Sequence, residues 1–401
     1  MEVYLDNAAT TAVFPEVIEI TKRVMEEDYG NPSSKHTKGL EAELYIRGAR
    51  EQIASTLKCQ PKEIFFTSGG TEANNFALLG AAFANQRSGK HIISTRIEHA
   101  SVLEPLSYLE GLGWEVTYLP VDALGRVSVA DVSEAVREDT VLVSVMYVNN
   151  EVGSVQPIAE IGGMLKRTRP DILFHVDAIQ AYGKMKIKPG SLGVDLLSAS
   201  AHKIHGPKGA GFLYVRDKVK IRPLLFGGGQ QGGMRSGTEN VQGIAGLGVA
   251  VQKVYEKHGE KTERLYQLKQ QMVQGLRKLE GVTVNGIGGE IFQEAAGDAE
   301  ADRELLRETA PHIVSVSFAG VRSEVMLHAL AEKGVYVSSG SACSSNRPEL
   351  SGTLQAVGVK EELLDSTLRF SFSVLTTSEQ VEYTLKVIEE LLPGLRRFIR
   401  K

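Results

Sequence analysis

The chain has 401 residues, 45 basic and 49 acidic, for a net charge of -4. Its length exceeds what one hydrophobic core usually serves, so two domains are expected, and the charge balance speaks against a nucleic-acid binder held by a broad basic field. Two cysteines, Cys59 and Cys343, exclude a disulfide framework or a four-cysteine zinc site. No apolar run approaches the roughly 20 residues of a membrane span, and the opening MEVYLDNAAT has no secretory pattern. A cytoplasmic protein with no membrane or direct nucleic-acid contact is expected.

From about residue 60 to 225, short apolar segments alternate with helical patterns. EIFFTS, KHIISTR, WEVTYLPV, TVLVSVMYV, ILFHVDA, VDLLSAS and AGFLYV are β-branched or aromatic, with turn residues at their borders, and predict buried strands. Helical spacing over 72–84 and 158–166 lies between them. Repeated strand–helix units predict an α/β fold with a mainly parallel central sheet flanked by helices, and ligands outside the strands' carboxyl ends. The spacing over 241–279 predicts one long helical region linking two domains. Beyond it, VTVNGI, HIVSVSFAG and VYVSSGS read as strands and SEVMLHALAEKG and EQVEYTLKVIEELLPGL as helices of a smaller α+β domain. The segment 290–308 carries seven acidic and two basic residues and reads as an exposed helical insertion or a loop.

Six stretches carry chemistry. In FFTSGGTEANN a strand ends, two glycines follow and Thr71-Glu72 opens a helix whose free N–H groups suit a phosphate at Gly70 and Thr71. A simple helix cap fits the same letters. In FHVDAIQAYG, Asp177 ends an apolar strand, where a carboxylate needs a partner such as a cationic ring nitrogen, with Gln180 three residues on. It also suits a helix cap. In SASAHKIHGPKG, Lys203 sits among small residues with Ser200 and His202 beside it, which suits a nucleophilic amine near a phosphate, although a surface lysine before a Gly-Pro turn fits too. An aspartate for a pyridinium nitrogen and a Schiff-base lysine are what pyridoxal 5'-phosphate asks of a protein. His99 after KHIISTR and Asn150 in VNNEVG follow strands and would meet at the same sheet edge, His99 to stack on a ring or shuttle a proton, although a structural histidine and a turn asparagine fit the same letters. Finally, Cys343 in VSSGSACSSN sits among Ser, Gly and Ala, a setting of accessible cysteines, whereas Cys59 reads as structural.

DNAATT, NPSS, TSGGTEANN, EHASV, VNNEVG, HVDAIQ, SAHKIHGPKG, MRSGTEN and SSGSACSS, in this order over nearly the whole chain, resemble the cysteine desulfurases, pyridoxal-phosphate enzymes of the class V aminotransferase group. The resemblance implies a large cofactor-binding domain over residues 16–258 and a small domain of 1–15 and 259–401 carrying the Cys343 loop. It implies conversion of L-cysteine to L-alanine, with Lys203 holding the cofactor as a Schiff base. Asp177 would keep the ring nitrogen protonated, Gln180 would bond the ring hydroxyl, and His99 would stack on the ring and help move protons. Gly70, Thr71, Ser200 and His202 would hold the phosphate, joined in a homodimer by Thr238 of the second subunit. Asn150 and Arg369 would grip the substrate carboxylate, Arg369 through its planar fork. Cys343 would take the sulfur as a persulfide and pass it to an acceptor protein, an iron–sulfur scaffold or a tRNA-thiolating enzyme. No metal is implied.

The chain departs from that pattern at Gln231-Gly232, where the family usually has Glu-Arg, at Ser373-Val374, where Gly-Arg is common, and in the long acidic stretch 290–308. The terminal LRRFIRK reads either as a docking surface or as a helix end carrying favourable cations. A selenocysteine lyase or another class V transaminase is the competing enzyme, and a non-catalytic sulfur-cluster assembly partner the competing non-enzyme. The latter predicts loss of Lys203, Asp177 or Cys343, and all three are present.

Overall fold

The computed structural model describes residues 1–287, 299–339 and 350–397. After a short strand β1 (Val3–Tyr4), the seven apolar segments form β2 (Ile64–Thr67), β3 (His91–Thr95), β4 (Glu115–Leu119), β5 (Thr140–Met146), β6 (Leu173–Asp177), β7 (Leu196–Ser200) and β8 (Gly211–Val215). They build one sheet in the order β2-β8-β7-β6-β5-β3-β4. All run parallel except β8, which is antiparallel to both β7 and β2. Residues 201–210 are too short for the crossover that a parallel return from β7 would need.

Helices α1 (Pro15–Glu26), α2 (Thr37–Leu57), α3 (Gly70–Asn85), α4 (Ala100–Glu110), α5 (Val129–Ala135), α6 (Ile158–Thr168), α7 (Val241–Tyr255) and α8 (His258–Leu276) follow in chain order. Side-chain alternation along the strands divides the core. Ile93, Val143, Leu197 and Phe212 pack with α1, α2, α6 and α7 on one face, while Ile92, Leu142, Leu196 and Leu213 pack with α3 and α4 on the other. Strand β5 is buried at every position, which is why its sequence shows no polar alternation.

The region expected to be one helix over 241–279 is two. The break falls at Glu256-Lys257, where Glu256 is extended and Lys257 takes the left-handed conformation with φ 51°. Four further strands, β9 (Val282–Asn285), β10 (Ile313–Phe318), β12 (Ser338–Ser339) and β13 (Thr367–Ser371), form an antiparallel sheet in the order β12-β13-β10-β9. Strand β11 (Val335–Tyr336) leaves that sheet to pair with β1 in parallel, so VYVSSGS is two strands in two sheets rather than one. Leu268, Met272, Met326, Phe370, Val381 and Ile388 share the core of this part with Val3 and Leu5.

The acidic stretch is more than an exposed insertion. Its latter part forms helix Ala299–Arg307, Leu306 is buried, and Arg303 and Arg307 both pair with Glu263 of α8; residues 290–298 lie outside the described residues. The C-terminal helix Ser378–Arg397 takes up the start of LRRFIRK, and Arg396 caps two carbonyls, those of Ala319 at 3.0 Å and Glu280 at 2.6 Å. Among the described residues no helix is long and apolar enough to cross a membrane.

Gln231 has a definite role. Strand β2 is an edge strand, and the Gln231 side chain meets Phe66 as a neighbouring peptide would. Its Oε1 accepts from Phe66 N at 2.6 Å and its Nε2 donates to Phe66 O at 2.8 Å. A glutamate keeps the acceptor but loses the donor and sets a carboxylate oxygen against a carbonyl. Gln231→Glu is therefore expected to lower the unfolding free energy by about 1–3 kcal/mol, read from the urea midpoint with unchanged slope.

Candidate active site

A cavity of about 290 Å³ opens at the carboxyl ends of the parallel strands, where this architecture places ligands. Asp177 ends β6 and Ser200 ends β7, with His202 and Lys203 in the turn beyond. Asn150 follows β5, His99 follows β3, and Gly70 and Thr71 begin α3 after β2. All of these, with Gln180 and Arg369, line the one cavity. Thr238 is exposed and does not line it. Cys343 lies outside the described residues.

The backbone at the start of α3 depends on glycine. Gly69 holds φ 154° and ψ -172°, a region essentially closed to other residues. A Cβ on Gly70 would fall 2.2 Å from Ile179 Cδ1. Glu72, in the first turn, is turned to Arg235 at 2.8 Å and to Ser68 N at 2.7 Å, and these donors hold its carboxyl below the usual range against the opposing effect of burial. The helix start thus keeps free N–H groups toward the cavity while its own carboxylate is engaged elsewhere.

Lys203 Nζ donates to the carbonyls of Ala8 and Ala9 at 2.6 and 2.7 Å. The DNAATT segment, far away in sequence, therefore forms one wall. It is held there by Thr11, whose hydroxyl donates to His202 O at 2.9 Å and accepts from His205 N at 2.7 Å. Lys184, buried beneath, donates to the backbone O of Lys203 at 2.6 Å, and burial pushes its own amine down to about 7, with the Lys203 charge adding to the effect.

Asp177 is buried, and burial raises its carboxyl above the usual range despite bonds from Ile179 N at 2.9 Å and Asn74 Nδ2 at 2.7 Å and the nearby Lys203 charge. Asp195, at the opposite end of the sheet, makes a useful contrast, being matched by Lys166 and Arg216, both at 2.7 Å. Asp177 has only neutral hydrogen-bond donors among the described residues, so a cationic group in the cavity would complete it. Ser200 Oγ is likewise buried without a partner among the described residues, as a hydroxyl awaiting an anion would be. A buried carboxylate that no cation hydrogen-bonds among the described residues, a lysine amine, and a hydroxyl beside a helix start fit the ring nitrogen, aldehyde and phosphate of pyridoxal 5'-phosphate.

Arg369, on β13, donates to Asp6 Oδ1 at 2.9 Å and to the backbone O of Asn150 at 2.8 Å, and its Nε is buried with no partner among the described residues. Gln180 is fixed between Ala8 O at 2.9 Å and His312 Nε2 at 3.2 Å. Asn74, Ser101, Lys184 and His312 went unnoticed in the sequence. Asn74 stands within the quoted TSGGTEANN, four residues along α3 from Gly70, and Ser101 within the quoted EHASV, two residues after His99; these spacings were the available signals.

The aminotransferase class-V family profile matches residues 3–384. The chain is 44% identical over 396 residues to "Cysteine desulfurase IscS" of Dictyoglomus turgidum, covering 98% of this chain and 95% of that protein. It is also 44% identical to "Putative cysteine desulfurase IscS 1" of Bacillus subtilis, covering 98% and 99%. A solved "NIFS-LIKE PROTEIN" superposes with a TM-score of 0.88 at 39% identity, covering 98% of this chain and all of that one. With the catalytic-type lysine, the cation-seeking aspartate and the helix start gathered in one cavity, the chain belongs to the class V aminotransferase family and is a cysteine desulfurase.

Proposed function

We propose that this enzyme holds pyridoxal 5'-phosphate in the cavity between Lys203 and Asp177, and that the juxtaposition of these two residues is the observation that carries the reading. Lys203 bonds the cofactor, Asp177 faces its ring nitrogen, Gln180 its ring hydroxyl, and His99 its face. Gly70, Thr71, Ser200 and His202 receive the phosphate, with Thr238 of the partner subunit in a homodimer. When bound, the group supplies an electron sink that loosens bonds at the substrate's carbons. Asn150 and Arg369 orient the carboxylate of L-cysteine, and the unpartnered Arg369 Nε supports that role. The Cys343 thiolate takes the substrate sulfur as a persulfide, L-alanine leaves, and the sulfur passes to an acceptor protein, an iron–sulfur scaffold or a tRNA-thiolating enzyme. The division at 15/16 and 258/259 into two domains is supported by the two cores, and the sparing use of cysteine supports a cytoplasmic setting.

Borohydride reduction of the purified protein followed by peptide mass spectrometry tests the cofactor assignment. The cofactor mass is expected on Lys203. Recovery of it on Lys184 or on no lysine overturns the assignment.

A further inference from the structure

We propose that His99 stands in the site as a neutral imidazole with its proton fixed on Nε2, and that Ser101 and Asn74 are the positioning residues that fix it. This rests on the reading of the cavity as a cofactor site and specifies the form in which His99 meets the ring.

The direction of each hydrogen bond follows from its neighbour. Asp177, as a carboxylate, only accepts, so the group facing its Oδ2 at 2.7 Å must be the Asn74 amide nitrogen. The second hydrogen of that amide goes to Ser101 Oγ at 2.9 Å. Having accepted there, the Ser101 hydroxyl directs its own hydrogen to His99 Nδ1 at 2.9 Å. The backbone N–H of Ser101 reaches the same nitrogen at 3.1 Å, because His99 is the N-cap of α4. A ring nitrogen that receives two donors carries no hydrogen, so the proton of the neutral ring is on Nε2.

Other influences favour the same form. The positive end of α4 disfavours an imidazolium at its cap, as at other catalytic histidines held neutral by a helix start. Burial, the largest influence, and the Lys203 charge both hold the His99 ring below its ordinary value, against the opposing Asp177 carboxylate. Asn74 is fully buried and Ser101 nearly so, so water does not compete for these bonds. His99 therefore presents a hydrogen-bond donor at Nε2 and takes up no proton there. Proton uptake during turnover is left to other groups, of which the Lys203 amine is one that lines the same cavity.

The test uses the holoenzyme labelled with nitrogen-15 histidine, the His99 signals being assigned by difference from His99→Gln. Between pH 6 and 9 the native Nδ1 is expected at the unprotonated position and Nε2 at the protonated one, without titration. Ser101→Ala removes the hydroxyl donor, so His99 titrates at higher pH than in the native protein, and L-alanine formation falls about tenfold, the worth of one hydrogen bond. Ser101→Thr restores both, and Asn74→Leu, which frees the Ser101 hydroxyl to turn away, shifts the titration as Ser101→Ala does. A native Nδ1 that carries a proton overturns the proposal. So does a titration identical in native, Ser101→Ala and Asn74→Leu proteins. A native protein lacking cofactor absorption fails at the earlier reading instead, which keeps the two failures distinct.

Discussion

Lys203→Ala is expected to reduce L-alanine formation from L-cysteine by roughly 10⁴-fold or more, the order lost when a covalent catalyst is removed. The fold should persist. The lost ammonium bonds two backbone carbonyls at the cavity wall, which solvent entering the cavity can satisfy. The Lys184 contact is to the Lys203 main chain and survives the substitution. Amino-acid analysis of the product, alongside a thermal melt, separates loss of chemistry from loss of structure. A variant that melts as the native protein does and keeps a tenth of its activity would remove Lys203 from the covalent role.

Cys343→Ala is expected to abolish both the protein-bound persulfide and turnover, again by roughly 10³-fold or more, whereas Cys59→Ala leaves turnover near the native rate. The asymmetry has a physical basis. These are the two cysteines of the chain, and the thiolate rather than the thiol is the nucleophile. Burial, assisted by the Glu63 charge, pushes the Cys59 thiol up to about 12, and its side chain packs against the core under α2. Cys59 cannot substitute for Cys343. Mass spectrometry of the protein after L-cysteine without reductant reads the extra sulfur, and equal alanine formation from the Cys343→Ala protein would rule out the persulfide route.

The strands of the large sheet were readable because burial on both faces leaves mostly β-branched and apolar runs such as TVLVSVM, with no alternation of buried and exposed positions. Their C-terminal edge then told where Asp177, Ser200, His99 and Asn150 would gather. The reversed direction of β8 was less open, since apolar pattern carries no direction and only the short 201–210 connection hints at it. The break at Lys257 was hidden because the nearby Gly259 falls inside α8 and not at the turn: a lysine takes the left-handed conformation, which its sequence does not advertise. Asn74 and Ser101 were hidden for another reason. Each is an ordinary helix residue in its own segment, and their meaning lies in bonds to residues 103 and 27 positions apart, a pairing that local pattern cannot express. The helix-cap readings were offered for Thr71-Glu72 and Asp177, yet α3 starts from Gly69 with no side-chain cap bond, whereas His99, for which no cap was read, caps α4 while lining the cavity.

The wall formed by residues 3–11 has a consequence for how the molecule is made. Strand β1 finds its partner only at Val335-Tyr336, and Asp6 meets Arg369 363 positions later. At a synthesis rate of roughly 5–20 residues per second, these partners leave the ribosome roughly 20–70 s after the segment that awaits them. The large sheet, complete by Val215, can fold on the emerging chain in that interval. The cavity stays without one side until the last strands have been translated, so a nascent chain carries the catalytic lysine well before it can catalyse anything.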